Sequence, residues 1–148
     1  MKRQRGQSVV EFAFVLPMFT LFLFGLIYGG IMFLQYFNLS NDARAEARRI
    51  AVMTSTQRND YFSASSEKNY PTEGNPKSVV NPKKFGTFYN VQQQIWFTFD
   101  SSDKLEDVIV RVEFNRDNAD LPNVLKQFNW PPKEFAMQYR MKVETENE

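Results

Sequence analysis

Arg5-Gly6-Gln7-Ser8-Val9-Val10-Glu11-Phe12-Ala13-Phe14-Val15-Leu16-Pro17 leads into a long apolar run, and its reading decides the fold. Lys2, Arg3 and Arg5 form a short basic tail; a glycine follows, then four residues, then a glutamate. From Val9 to Phe37 that glutamate is the single charge. A helix needs roughly 20 apolar residues to cross a bilayer, and this run exceeds that. Phe12, Phe14, Phe19, Phe22, Phe24 and Phe33 occupy every face of such a helix, which disfavours a core helix with one buried side. A carboxylate is costly in lipid, so Glu11 at the mouth of the span calls for a functional explanation.

The flanking charges orient the span. Lys2, Arg3 and Arg5 carry no acidic residue among them, so the positive-inside rule puts the N-terminus in the cytoplasm. Arg44, Arg48 and Arg49 beyond the span oppose this, but Asp42 and Glu46 offset them in part. A cleavable secretory signal is the rival for this end. Ala43-Arg44-Ala45 fits a small-x-small site, yet an apolar core of roughly 7–15 residues is expected there and this one is about twice that.

One helix is expected from about Ser8 to about Met53. Pro17 lies inside it, where it removes a backbone donor and favours a kink. Gly25 and Gly29 form a Gly-x-x-x-Gly, a spacing that lets helices approach closely in lipid. Past Asn38 the pattern turns amphipathic: Leu39, Ala43, Ala47, Ile50 and Ala51 fall on one side and the charged residues elsewhere. That side suits packing on a neighbouring helix or on the chain's own globular part. Residues 54–86 are rich in Ser, Asn, Pro, Lys and Gly and read as a loop or linker.

Three strands are expected after it. Val91, Gln93, Ile95, Phe97 and Phe99 alternate with more polar residues. So do Val108, Val110, Val112 and Phe114, and then Phe135, Met137, Tyr139, Met141 and Val143. Period-two alternation marks half-buried antiparallel strands. Leu121 to Phe128 reads as a short helical turn with Pro122 near its start. Three strands with one apolar face need a cover, and the helix just past the membrane can supply it. The expected fold is α+β: a long N-terminal transmembrane helix continues into an extracytoplasmic amphipathic helix packed on a small antiparallel three-stranded sheet. The divisions are a basic leader 1–6, a transmembrane helix 7–37, an amphipathic extension 38–53, a loop 54–86 and a β head 87–148.

Composition excludes much chemistry. The 148 residues include no His and no Cys. The commonest general base, the usual zinc ligands, thiol nucleophiles and disulfides are therefore missing. Setting aside Lys2, Arg3 and Arg5 from the 18 basic residues and Glu11 from the 17 acidic ones leaves a net charge of −1. That gives no electrostatic reason to expect nucleic acid as a partner. Asp100, Asp103, Glu106 and Asp107 lack the spacing and central glycine of a calcium loop and read as a solvated turn. Trp130-Pro131-Pro132 reads as a structural loop anchor ahead of an exposed contact. No catalytic residues, no metal site and no cofactor are expected.

Gly6-Gln7-Ser8-Val9-Val10-Glu11-Phe12 resembles the processing site of type IV pilin-like proteins of the Tad (tight adherence) class. The extension through Pro17 resembles the TadE-like pseudopilins more specifically. Asn41 to Ala51 is similar to that family's post-membrane helix, and the last two strands are similar in layout. The resemblance implies a prepilin peptidase cut between Gly6 and Gln7. Gln7 then becomes the new N-terminus and Glu11 the fifth residue, placed to pair with the α-ammonium of a neighbouring subunit. Phe12 stands where the major pilins prefer tyrosine, and the chain is longer than those short subunits. Both departures favour a minor pilin or pseudopilin.

The implied function is assembly of a Tad-type pilus by a single-pass protein of the bacterial inner membrane, with its head outside the cytoplasm and the pilus itself a further destination. The implied partners are the prepilin peptidase, other pilins or pseudopilins, the inner-membrane assembly platform and the lipid bilayer. The alternative is an unprocessed single-pass scaffold or binding protein, which gives Gly6 and Glu11 no role.

Overall fold

The structure, a computed structural model, describes residues 3–116 and 132–144, with side chains described for 9–79, 85–116 and 132–144. The elements run α1 (Arg3–Ala51), α2 (Ser55–Phe62), a 3-10 turn (Glu67–Asn69), β1 (Lys77–Phe85), β2 (Tyr89–Phe99), β3 (Leu105–Arg116) and β4 (Glu134–Lys142). Two compact units result, Met1–Gln35 and Tyr36–Glu148.

The first unit is helical. The apolar stretch of α1 is long enough to cross a membrane by length and composition, and its most apolar window has no buried residue within the chain. Phe14 is 74% exposed and Met18 75%. A folded protein does not leave such a surface to water; lipid or other helices must cover it. Pro17 sits inside the helix, and Thr20 donates its hydroxyl proton to the Leu16 carbonyl at 2.8 Å, the local bond that satisfies a hydroxyl in an apolar helix.

The second unit is an antiparallel meander, with the strands ordered β1-β2-β3-β4, and the end of α1 on one face. The register places Ile95 beside Val110 and Val110 beside Tyr139. Val91, Ile95, Phe97, Val108, Val110, Val112 and Phe114 all point to that face and are buried. From the helix, Leu39, Ala43, Ala47, Ile50 and Ala51 are buried as well. Each fully buried large aliphatic side chain contributes about 1.5–3 kcal/mol, while the alanines let the helix lie close to the sheet. The opposite face is mostly polar, apart from the cross-strand pair Trp96 and Ile109, 4% and 5% exposed.

The sheet has four strands, not three. The first, Lys77–Phe85, lies in the stretch read from sequence as a loop. Pro82 hides it, because proline cannot donate to a ladder and argues against a strand. The structure accommodates it on an edge, at a register shift between Asn81 and Lys84, which is where proline is tolerated. Helix α2 falls in the same stretch. Thr54 caps it reciprocally with Gln57: the Gln57 amide donates to the Thr54 hydroxyl and the Gln57 side chain accepts from the Thr54 amide. Phe62 at its end packs edge-on against Phe97 at 5.1 Å.

Turn chemistry closes the meander. Gly86 has φ 58° between β1 and β2, a conformation that glycine adopts without strain. Between β2 and β3, Asp100 Oδ1 accepts from the amides of Ser102 at 2.8 Å and Lys104 at 3.0 Å. Those backbone donors, Lys104 first, hold the Asp100 carboxyl below its usual range. The expected helical turn at Leu121 to Phe128 and the Trp130-Pro131 pair lie outside the described residues.

Candidate functional site

The residues singled out by sequence all lie on α1. Gly6 and Gln7 are in its first turns. Glu11 follows one turn later, with Phe12 beside it 64% exposed. A Cβ placed on Gly25, Gly29 or Gly30 meets nothing within 4 Å, so this part of the helix is open to close approach. Four residues separate Gly25 from Gly29, which puts them on one face. The helix aligns these residues along its length, and no other segment of the chain is needed to position them. The chemistry available is that of recognition: a peptide bond at a helix end, one carboxylate, and an apolar surface.

A second group, missed in the sequence, ties the end of α1 to the sheet and to α2. Ser40 and Tyr139 share a hydrogen bond of 2.6 Å. The Arg44 guanidinium stacks over the Tyr139 ring at 4.9 Å from its centre. Glu46 accepts from Tyr61 at 2.8 Å and from Arg49 at 2.6 Å. The Tyr61 phenol is pushed above its ordinary value, chiefly by burial and then by its bond to Glu46. The Glu144 amide donates to the Ala51 carbonyl at 2.9 Å, satisfying a helix-end carbonyl that lacks an intrahelical donor. Apart from Glu46 and Arg49, three residues apart within α1, no sequence signal marks these pairs, because each joins residues from separate elements. Among the described residues, no group of three or more His, Cys, Asp or Glu is placed to hold a metal ion.

Among the described residues the chain has one candidate membrane span and a small α+β domain. Residues 6–48 match the family model of the TadE-like proteins. The match begins at Gly6, includes Glu11 and runs past the apolar stretch into the part of α1 that packs on the sheet. The resemblance seen in the N-terminal motif is thereby borne out for that segment. No curated protein and no solved structure matches the chain.

Proposed function

We propose that this protein is a membrane-anchored minor pilin or pseudopilin, cut by a prepilin peptidase between Gly6 and Gln7 and used to assemble a Tad-type pilus. The observation that carries the reading is the coincidence of the family match with its starting glycine and Glu11 on a helix whose apolar surface is uncovered. The cut releases the basic tail and leaves an α-ammonium on Gln7. Four residues on, Glu11 of another subunit can neutralise that charge, so that neither ion stays unpaired in an apolar bundle. Glycine weakens a helix by about 1 kcal/mol relative to alanine. Gly6 therefore helps the first turns of α1 open into the extended form that a protease cleft takes.

The head stays outside the cytoplasm in this reading, and the platform and other pilins meet the helix. The deciding experiment is mass spectrometry of the mature N-terminus from native membranes, with and without the prepilin peptidase. A Gln7 start that requires the peptidase supports the proposal. A start at Met1 or Lys2 in both preparations overturns it in favour of an unprocessed anchored scaffold.

A further inference from the structure

The two edges of the sheet are built differently. At the β1 edge Pro82 falls in the register shift between Asn81 and Lys84, and a proline and an irregularity both blunt an edge. The other edge is β4. It pairs with β3 without a shift along all nine residues and contains no proline. Its ladder shows where the remaining backbone groups point. Arg116 donates its amide to the Lys133 carbonyl and Val143 donates to the Glu106 carbonyl, both at 2.9 Å. Residues of an antiparallel strand alternate between turning both backbone groups to the partner and turning both away. Lys133 and Val143 face β3, so Phe135, Met137, Tyr139 and Met141 do too. Glu134, Ala136, Gln138, Arg140 and Lys142 therefore aim amide and carbonyl outward. All five are exposed, and among the described residues no strand lies beyond them. Such an open row of donors and acceptors is a template for another strand.

A groove of about 600 Å³ lies between the end of α1 and the last residues of β4. Ala51 and Met141 give it apolar lining, and Arg44, Arg48 and Lys142 outnumber Glu144 there. The charges around it do not reverse that sign. Asp107 is taken by Arg140, Lys133 offsets Glu134 at the far end of the strand, and counting Glu106 beside Val143 still leaves the balance positive. Arg44 is stacked on Tyr139, whereas Arg48 and Lys142 have no acidic partner among the described residues. Tyr139 and Met141 are only half-buried, unlike Val108 and Val110 of β3 beside them. The edge thus offers backbone pairing, apolar surface and unspent positive charge in one place.

We propose that the β4 edge takes up an extended acidic strand of a partner protein, which joins the sheet beyond β4 and seats a carboxylate by Arg48 and Lys142. In strand addition the main chain supplies the affinity and side-chain pockets supply the preference. Here the outward amides of Ala136, Gln138 and Arg140 do the first and the groove does the second. The inference concerns the head alone and stands whether or not the chain is cut at Gly6.

The full chain in detergent micelles is titrated with a fluorescent peptide of alternating valine and glutamate, and with its valine–lysine counterpart. The expected result is that the acidic peptide binds about tenfold tighter than the basic one and is weakened by salt. Arg48→Glu combined with Lys142→Glu should reverse that preference. Gln138→Pro removes an outward amide but no bond to β3, so it should weaken the acidic peptide about tenfold while the melting of the head stays near native. N-methylation of alternate peptide residues makes the same test on the native chain if Gln138→Pro unfolds it. Binding of neither peptide, equal binding of both, an unchanged preference in the double variant, or binding that survives N-methylation overturns the inference. The chain has no native cysteine, so a second copy on this edge is also readable. Gln138→Cys chains that link to one another without peptide, in preference to Ala45→Cys chains, would put that second copy there and overturn the acidic partner.

Discussion

Ser40 and Tyr139 stand 99 residues apart in sequence and 2.6 Å apart in space. Ser40 is 5% exposed, so its hydroxyl has little water to turn to. The bond joins the helix to β4, the last strand to be made. Tyr139→Phe should lower the unfolding free energy of the head by about 1 kcal/mol, seen as a fall of a few degrees in melting temperature. Tyr139→Ala should cost more, since it also removes the ring under Arg44. A Tyr139→Phe protein that melts with the native one would show that the bond has no net value.

Ala47 is completely buried where the helix meets the sheet. A larger side chain there must push the helix off or strain its neighbours. Ala47→Leu should destabilise the head by about 1–3 kcal/mol, whereas Ala45→Leu on the exposed side of the same helix should stay within about 0.5 kcal/mol. Equal denaturation midpoints for the two variants would refute close packing at Ala47.

Glu11 offers a separation of folding from assembly. It belongs to the first unit, and the head's core lies wholly within the second. Glu11→Ala should leave the circular dichroism and melting of the head unchanged while abolishing pilus formation in cells. Pili at the native level in this variant would remove the proposed pairing with the Gln7 ammonium.

The tyrosines set an alkaline limit on stability. Tyr61, Tyr70 and Tyr89 are each raised above the ordinary 10.0, in every case chiefly by burial. The folded state thus keeps protons that the unfolded chain gives up first. Their contribution is complete below pH 10 and is lost as pH rises through 10 toward the folded values. Thermal melts should hold steady from pH 7 to 9 and fall above 10. Tyr70→Phe, which also loses the 2.8 Å bond to Asn59, should flatten that fall. An identical slope in the variant would rule Tyr70 out as a contributor.

The sequence was most legible where one physical rule acted alone. The apolar run of α1 declared itself by length, and β2, β3 and β4 by alternation; their observed spans, Tyr89–Phe99, Leu105–Arg116 and Glu134–Lys142, enclose nearly all the expected residues. Strand β1 was lost because two rules conflicted. Val79 and Val80 favour a strand, while Asn81 and Pro82 break one, and the edge position that reconciles them is a tertiary fact. Helix α2 did leave a mark, since Thr54 and Gln57 have the spacing of a capping box, but the six polar residues from Ser55 to Asp60 gave no apolar period to support it. The motif from Gly6 to Glu11 could be read because it is contiguous. The contacts of Ser40, Glu46 and Arg44 could not, because register and packing decide them.

The meander has a consequence in time. Each strand after the first pairs with the one made just before it, so the sheet can zip up in the order of synthesis, with short turns between the first three strands and the longer connection 117–133 before the last. The helix end that will cover it comes first. Until β2 and β3 arrive, Leu39, Ala43, Ala47 and Ile50 have nothing to lie on. During that interval the newborn chain presents an apolar ridge that only the later strands will cover.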